Sequence, residues 1–213
     1  MDTAIQAPVI TCSRLRMQTD GKGITTLVCF HGCPLRCKWC INAFSFAPET
    51  KRAWMTPSQL YDKVRIDQLY FLATGGGVTF GGGEPLLQAD FLAEFRRLCG
   101  RHWHLCAETS LNVPWEQVAT AAACIDHFYI DCKDTDPHIY RQYTGQDNAA
   151  MLENLQKLLA MIGPERITVR IPLIPEFNTE AHRQNSVALF QKMGLTQFDF
   201  FTYKTPQQAT GGF

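Results

Sequence analysis

Six runs rich in β-branched and aromatic residues, near 24–30, 77–80, 104–109, 127–132, 166–173 and 198–203, alternate with segments of helical period. That alternation is the pattern of βα units around a parallel sheet. Helices are expected at 56–72, 91–99, 115–123, 149–162 and 180–193, with a polar connection before residue 149. The first opens on Thr56-Pro57-Ser58-Gln59, which has the form of a capping box with proline at the first helical position. No repeat or long linker divides the chain, and at roughly 100–200 residues per domain the 213 residues read as one domain, 1–213. The expected fold is α/β, a partial (β/α)6 TIM-type barrel with a parallel sheet. Such barrels carry their chemistry on the loops at the C-terminal ends of the strands.

The first strand leads straight into Cys33-Pro34-Leu35-Arg36-Cys37-Lys38-Trp39-Cys40. Three thiolates on one loop can converge on a single metal centre, one short of the four that a closed iron-sulfur cluster takes. A Cys3His zinc site with His31 is the alternative, although structural zinc sites usually draw ligand pairs from two knuckles and no second Cys-x-x-Cys occurs. Cys12, Cys29, Cys99, Cys106, Cys124 and Cys132 stand in apolar or helical contexts and read as small buried hydrophobes. Nine cysteines in a chain of this length do not form the short, even-numbered framework of a secreted disulfide scaffold, so a reducing compartment, the cytoplasm, is expected. No apolar run reaches the roughly 18–20 residues of a membrane span. Twenty basic residues balance twenty acidic ones, so no global field draws the chain to nucleic acid. Neither membrane nor nucleic acid is an expected partner.

Other candidates fall at the remaining strand ends. Gly81-Gly82-Gly83-Glu84 follows the second strand, but no Gly-Lys-Ser/Thr follows and the dinucleotide fingerprint does not fit. The glycines permit close approach of a ligand, and their peptide groups with Glu84 suit an ammonium. Taken alone, such a stretch is more often a tight turn. Glu108 and Thr109 end the third strand. Asp131 and Lys133 flank Cys132 and share a face by strand alternation, and Arg170 lies on the next strand. A Lys directed into a barrel needs an anion, either a ligand carboxylate or Asp131 in a plain inter-strand ion pair.

Together these residues resemble the radical S-adenosylmethionine (SAM) superfamily. Cys33-x-x-x-Cys37-x-Trp39-Cys40 matches its cluster motif and Gly82-Gly83-Glu84 its SAM amino-group motif. Within it the chain looks most like the glycyl radical enzyme activating enzymes, the family of pyruvate formate-lyase activating enzyme. That narrower match rests on Asp20 to Ile24, on Gly75 to Gln88, on Ile130 to Lys133 with Tyr143-Thr144-Gly145 and Leu152 to Leu155, and on Val169 to Pro175.

The resemblance implies a radical SAM core in which Cys33, Cys37 and Cys40 hold a 4Fe-4S cluster. Gly82, Gly83 and Glu84 would hold the SAM amino group and Lys133 its carboxylate. Glu108, Thr109 and Asp131 would line the polar side, Trp39 would pack near the adenine, and Arg170 would sit by the sulfonium half or the substrate. Asp131 and Glu108 are also candidates for a monovalent cation near SAM. The implied reaction is reductive cleavage of SAM to a 5'-deoxyadenosyl radical that generates a glycyl radical on a partner enzyme, with a flavodoxin or ferredoxin type reductant. A small-molecule radical SAM enzyme of the 7-carboxy-7-deazaguanine synthase type is the alternative. An electron carrier or sensor would leave Gly82 to Glu84, Lys133 and Arg170 without a shared purpose. Four departures stand out: Pro175-Glu176 replaces the family's Pro-Gly, Lys22 replaces a proline in the entry loop, Thr25 replaces an arginine after Ile24, and Lys204 replaces a histidine after Tyr203.

Overall fold

The computed structural model describes residues 5–17 and 20–203, so Lys204 lies outside the described residues. Eight strands form one open sheet: β1 (Ala7–Met17), β2 (Ile24–Phe30), β3 (Ala53–Met55), β4 (Gly77–Gly82), β5 (His104–Thr109), β6 (His127–Asp131), β7 (Ile167–Leu173) and β8 (Phe198–Thr202). Their order is β3-β1-β2-β4-β5-β6-β7-β8. β2 runs parallel to β4, β4 to β5 and β7 to β8, whereas β1 is antiparallel to β2 and to β3. The six expected strands are β2 and β4 to β8, the partial-barrel arrangement.

The helices are α1 (Pro57–Val64), α2 (Gln68–Thr74), α3 (Ala89–Cys99), α4 (Trp115–Ala122), α5 (Pro137–Thr144), α6 (Ala149–Ile162) and α7 (Glu180–Lys192). The described residues fall into two compact units, the first drawn from 1–33, 42–109 and 113–128 and the second from 34–41, 110–112 and 129–213. Among the described residues no helix is long and apolar enough to cross a membrane.

Four elements differ from expectation, the first being the three-residue strand β3, which the sequence does not mark. β1 shows no clean alternation because only its first three residues are buried, and its pairing with β2 slips between Ser13 and Arg16, beside Leu15 in the left-handed region (φ 54). The expected helix 56–72 forms its capping box, Gln59 N to Thr56 Oγ1 at 3.2 Å and Thr56 N to Gln59 Oε1 at 2.8 Å, but breaks at Arg65–Asp67. There the buried Asp67 carboxylate accepts both Arg14 Nε (2.7 Å) and Arg14 Nη2 (2.6 Å) from β1, and this forked pair draws the turn away from a continuous helix axis. The polar stretch before residue 149 contains α5. Its polar composition hides it, yet Asp136 caps it by accepting from His138 N (2.8 Å), Pro137 starts it, and Gly145 ends it at φ 76.

The core of the first unit is aromatic. Phe30 stacks on Phe80 with ring centroids 5.9 Å apart, and Phe91 and Phe95 meet that pair edge-on at 5.7 and 5.4 Å. Beside it the buried Arg96 guanidinium donates to the carbonyls of Cys124 (2.7 Å), Gly100 (2.7 Å) and Trp103 (3.0 Å) and pairs with Asp126. One side chain thus ties together the turn before β5 and the turn before β6. Arg96→Leu removes the cation while leaving three carbonyls and Asp126 behind, so it should lower the unfolding free energy by about 3 kcal/mol, read as a fall in the urea midpoint.

Candidate active site

The cysteine loop has no regular structure of its own and is held by its backbone. Arg36 N donates to Thr144 O at 2.8 Å and Lys38 N to Tyr143 O at 3.1 Å, so the amides on both sides of Cys37 dock on the last turn of α5. A helix end leaves its last carbonyls without intrahelical partners, and here the loop supplies them. Trp39 Nε1 donates to Pro175 O at 3.3 Å, and its ring meets Phe177 edge-on at 6.2 Å. Phe177 in turn packs on Tyr143 at 5.1 Å. Burial pushes the Cys37 thiol up to about 11 even with Lys133 pulling it down. None of the nine cysteines takes part in a disulfide. Cys29, Cys99, Cys106, Cys124 and Cys132 are buried, as expected, whereas Cys12 is only half-buried, and burial raises all six thiols.

The loop after β7 carries the substitution noted in the sequence. Glu176 has φ 72, the left-handed conformation that suits glycine, and its neighbours hold it there. Asn178 Oδ1 accepts Ile174 N at 2.7 Å, its Nδ2 donates to Asp134 Oδ2 at 3.1 Å, and Phe177 N returns to Ile174 O at 3.0 Å.

In the first unit, Cys33 follows Gly32, whose carbonyl accepts Glu84 N at 2.7 Å, while Phe30 O accepts Gly83 N at 3.0 Å. This approach requires glycine: a Cβ on Gly83 would stand 2.1 Å from Gly32 O. Glu84, only 2% exposed, accepts Leu86 N at 3.2 Å and Thr109 Oγ1 at 2.6 Å, and Leu87 N donates to Glu84 O at 3.3 Å. With Pro85 lacking an N–H, every backbone donor from Gly83 to Leu87 is spent within the unit. The turn can therefore offer acceptors, which suits an ammonium and not a phosphate. The Glu108 carboxylate lies against Gly81, where an added Cβ would be 3.0 Å from Oε2. His31 Nε2 lies 3.0 Å from Ala47 O.

In the second unit, Asp131 joins the two expected cations. Lys133 Nζ lies 3.1 Å from Asp131 Oδ2 and Arg170 Nε 2.6 Å from Asp131 Oδ1. Burial alone would raise the Asp131 carboxyl, but Arg170 and then Lys133 bring it down to about 2. Lys133 also donates to Tyr203 Oη at 2.8 Å, a partner that the sequence reading did not single out. The plain inter-strand ion pair is thus present, and Tyr203 adds a further contact to it. Among the described residues, no three His, Cys, Asp or Glu side chains gather as the ligands of one metal ion would.

The model of the radical SAM superfamily matches residues 27–184, from mid-β2 into α7. The chain belongs to the radical SAM superfamily. It is 31% identical over 232 residues to the (2S)-3-sulfopropanediol dehydratase activating enzyme of Klebsiella oxytoca, covering 80% of this chain and 73% of that protein. To the pyruvate formate-lyase 2-activating enzyme of Escherichia coli K12 it is 32% identical over 192 residues, covering 74% and 64%. The crystal structure of Streptococcus suis SuiB bound to S-adenosylmethionine shares the fold, with a TM-score of 0.63 at 14% identity over 81% of this chain and 39% of that one. The chain is accordingly a radical SAM enzyme, a family whose cofactors are a 4Fe-4S cluster and SAM.

The residues present fit those cofactors. Three thiols on one loop are the ligand type of a cubane, which takes each thiolate on a different iron rather than gathering all three round one ion. The acceptor-only turn at Gly83 to Leu87 suits the amino group of SAM, and the cations of the second unit suit its carboxylate.

Two predictions concern this region. Glu176→Gly should relieve a left-handed L-residue and raise stability by roughly 0.5–1 kcal/mol, a Tm rise of about 2 °C by calorimetry. Asp131→Asn should lower Tm by roughly 4–8 °C near neutral pH, because it leaves Lys133 and Arg170 without their carboxylate. Since the folded carboxyl titrates below the unfolded value of about 3.9, this deficit should be full above that pH and shrink as pH falls toward 2.

Proposed function

We propose that this chain is the activase of a glycyl radical enzyme, working in the cytoplasm and placing a radical on a glycine of a large protein partner. The observation that carries this reading is the docking of the cysteine loop on Tyr143 and Thr144, because the Tyr143-Thr144-Gly145 stretch is the feature that favours an activase over a deazaguanine synthase. Asn154, from the accompanying Leu152 to Leu155 stretch, fixes the same unit by donating to Leu111 O at 2.9 Å. The curated relatives described above are activating enzymes, and the deazaguanine-type alternative is not favoured.

In this reading Cys33, Cys37 and Cys40 hold the cluster. Gly82, Gly83 and Glu84 accept the SAM amino group, and Lys133 donates to its carboxylate. Glu108, Thr109 and Asp131 form the polar wall, Trp39 stands by the adenine, and Arg170 faces the sulfonium half or the incoming substrate. When bound, the cluster and SAM supply one-electron reduction, sulfonium C–S cleavage and hydrogen abstraction from carbon. The chain's own task is to orient these groups and keep water from them, and the anchored Cys37 loop with the packed Trp39–Phe177–Tyr143 rings serves it. Arg36 and Lys38, exposed on either side of Cys37, would meet an acidic reductant of the flavodoxin or ferredoxin type.

The test is anaerobic reconstitution followed by reduction with SAM and a glycyl radical enzyme as candidate partner. The wild type should yield 5'-deoxyadenosine and a glycine-centred electron paramagnetic resonance signal on the partner. Cys37→Ala should lose the cluster absorbance, and its cleavage should fall to background. Cleavage without a partner signal would remove the activase reading, and no cleavage at all would remove every radical SAM reading.

A further inference from the structure

Lys133 is 6% exposed and carries three N–H groups, of which Asp131 Oδ2 takes one at 3.1 Å and Tyr203 Oη another at 2.8 Å. An ammonium nitrogen is tetrahedral. Once its stem and two N–H bonds are fixed, the direction of the third is fixed as well. We propose that Tyr203 is a positioning residue: by accepting one N–H of Lys133 it aims the third at the carboxylate of SAM. The inference rests on the reading above in which Lys133 holds that carboxylate.

The hydroxyl is well placed for this. Tyr203 follows β8 directly and its N donates to Leu173 O at 2.9 Å. Its ring packs on Phe201 at 5.4 Å and on Tyr143 at 6.0 Å, the residue whose carbonyl anchors the cysteine loop. The ring therefore has little freedom to withdraw its oxygen.

The chemistry of the acceptor matters too. Asp131 already answers Arg170 as well as Lys133. A second carboxylate in place of Tyr203 would hold Lys133 equally still, but its charge would repel the anion that the ammonium has to attract. A phenol is a neutral acceptor, so it orients the ammonium and leaves its charge for the ligand. Without it, rotation about the last side-chain bond could turn a second N–H toward Asp131 and away from the ligand.

Tyr203→Phe removes the oxygen and keeps the ring. Binding to the reconstituted, unreduced protein separates orientation from catalysis, because no cleavage occurs. Two ligands are compared by equilibrium dialysis: SAM, and its carboxamide analogue, which lacks the anionic group. Tyr203→Phe should weaken SAM about tenfold or more, as the loss of one hydrogen bond to a charged group does, and change the carboxamide by less than about twofold. Lys133→Met should weaken SAM at least as much and abolish the preference for the carboxylate form. If Lys133→Met weakens SAM while Tyr203→Phe does not, the role given to Tyr203 is overturned and the Lys133 reading stands. If Lys133→Met binds SAM as tightly as the wild type, that reading falls and the inference falls with it. Equal weakening of both ligands by Tyr203→Phe would mean a merely structural contact and would also overturn the proposal.

Discussion

Two backbone hydrogen bonds, Arg36 N to Thr144 O and Lys38 N to Tyr143 O, fix the part of the molecule that has least structure of its own. A loop that presents three thiols cannot also satisfy its amides in a ladder. α5 solves the problem by ending where the loop passes, so that carbonyls left over by the helix meet amides left over by the loop. The dependence runs further back along the chain. α5 is eight residues long and its sequence is mostly polar, so its start at Asp136 and Pro137 and its stop at Gly145 decide where those carbonyls lie. Phe177, packed on both Trp39 and Tyr143, brings the loop after β7 into the same arrangement.

The two buried cationic clusters show how similar chemistry can serve different ends. Arg96 has four donor contacts, to three carbonyls and one carboxylate, and these clamp neighbouring turns. It is spent on structure. Lys133 sits among Asp131, Arg170 and Tyr203 with two of its three donors engaged. Burying an ammonium with a donor left over is unfavourable unless something completes the shell.

Most of the sheet was legible because buried parallel strands are short, apolar and bounded by turn residues, and β2 and β4 to β7 have that character, while β8, half-exposed, is marked by its run of phenylalanines. β1 was not, since it is half exposed, irregular in register and rich in arginine, so neither periodicity nor burial marks it. α5 was missed for a related reason: Ile139, Tyr140 and Tyr143 are buried, but the residues between them are polar and the helix spans little more than two turns. The site was legible as a set of residue types at strand ends. What could not be read is the partnership of atoms. The sequence marks Tyr143-Thr144-Gly145 as a motif, yet its contribution to the loop is made by main-chain carbonyls, which carry no side-chain signature. Tyr203 ends an expected strand, but only the fold brings its hydroxyl to Lys133.

Glycine-rich turns at strand ends are ambiguous in sequence because the same freedom serves phosphate cradles, tight turns and ammonium sites. The direction of the backbone groups excludes the phosphate cradle here. A phosphate cradle must turn several N–H groups outward, whereas Gly83, Glu84, Leu86 and Leu87 all turn theirs inward, to Phe30 O, Gly32 O and Glu84 itself. Glycine at position 83 permits that inward closure, since any side chain would strike the Gly32 carbonyl. The glycines let the turn close on the strand exit that precedes the cysteines, and the closed turn leaves oxygen as the polar atom it can present.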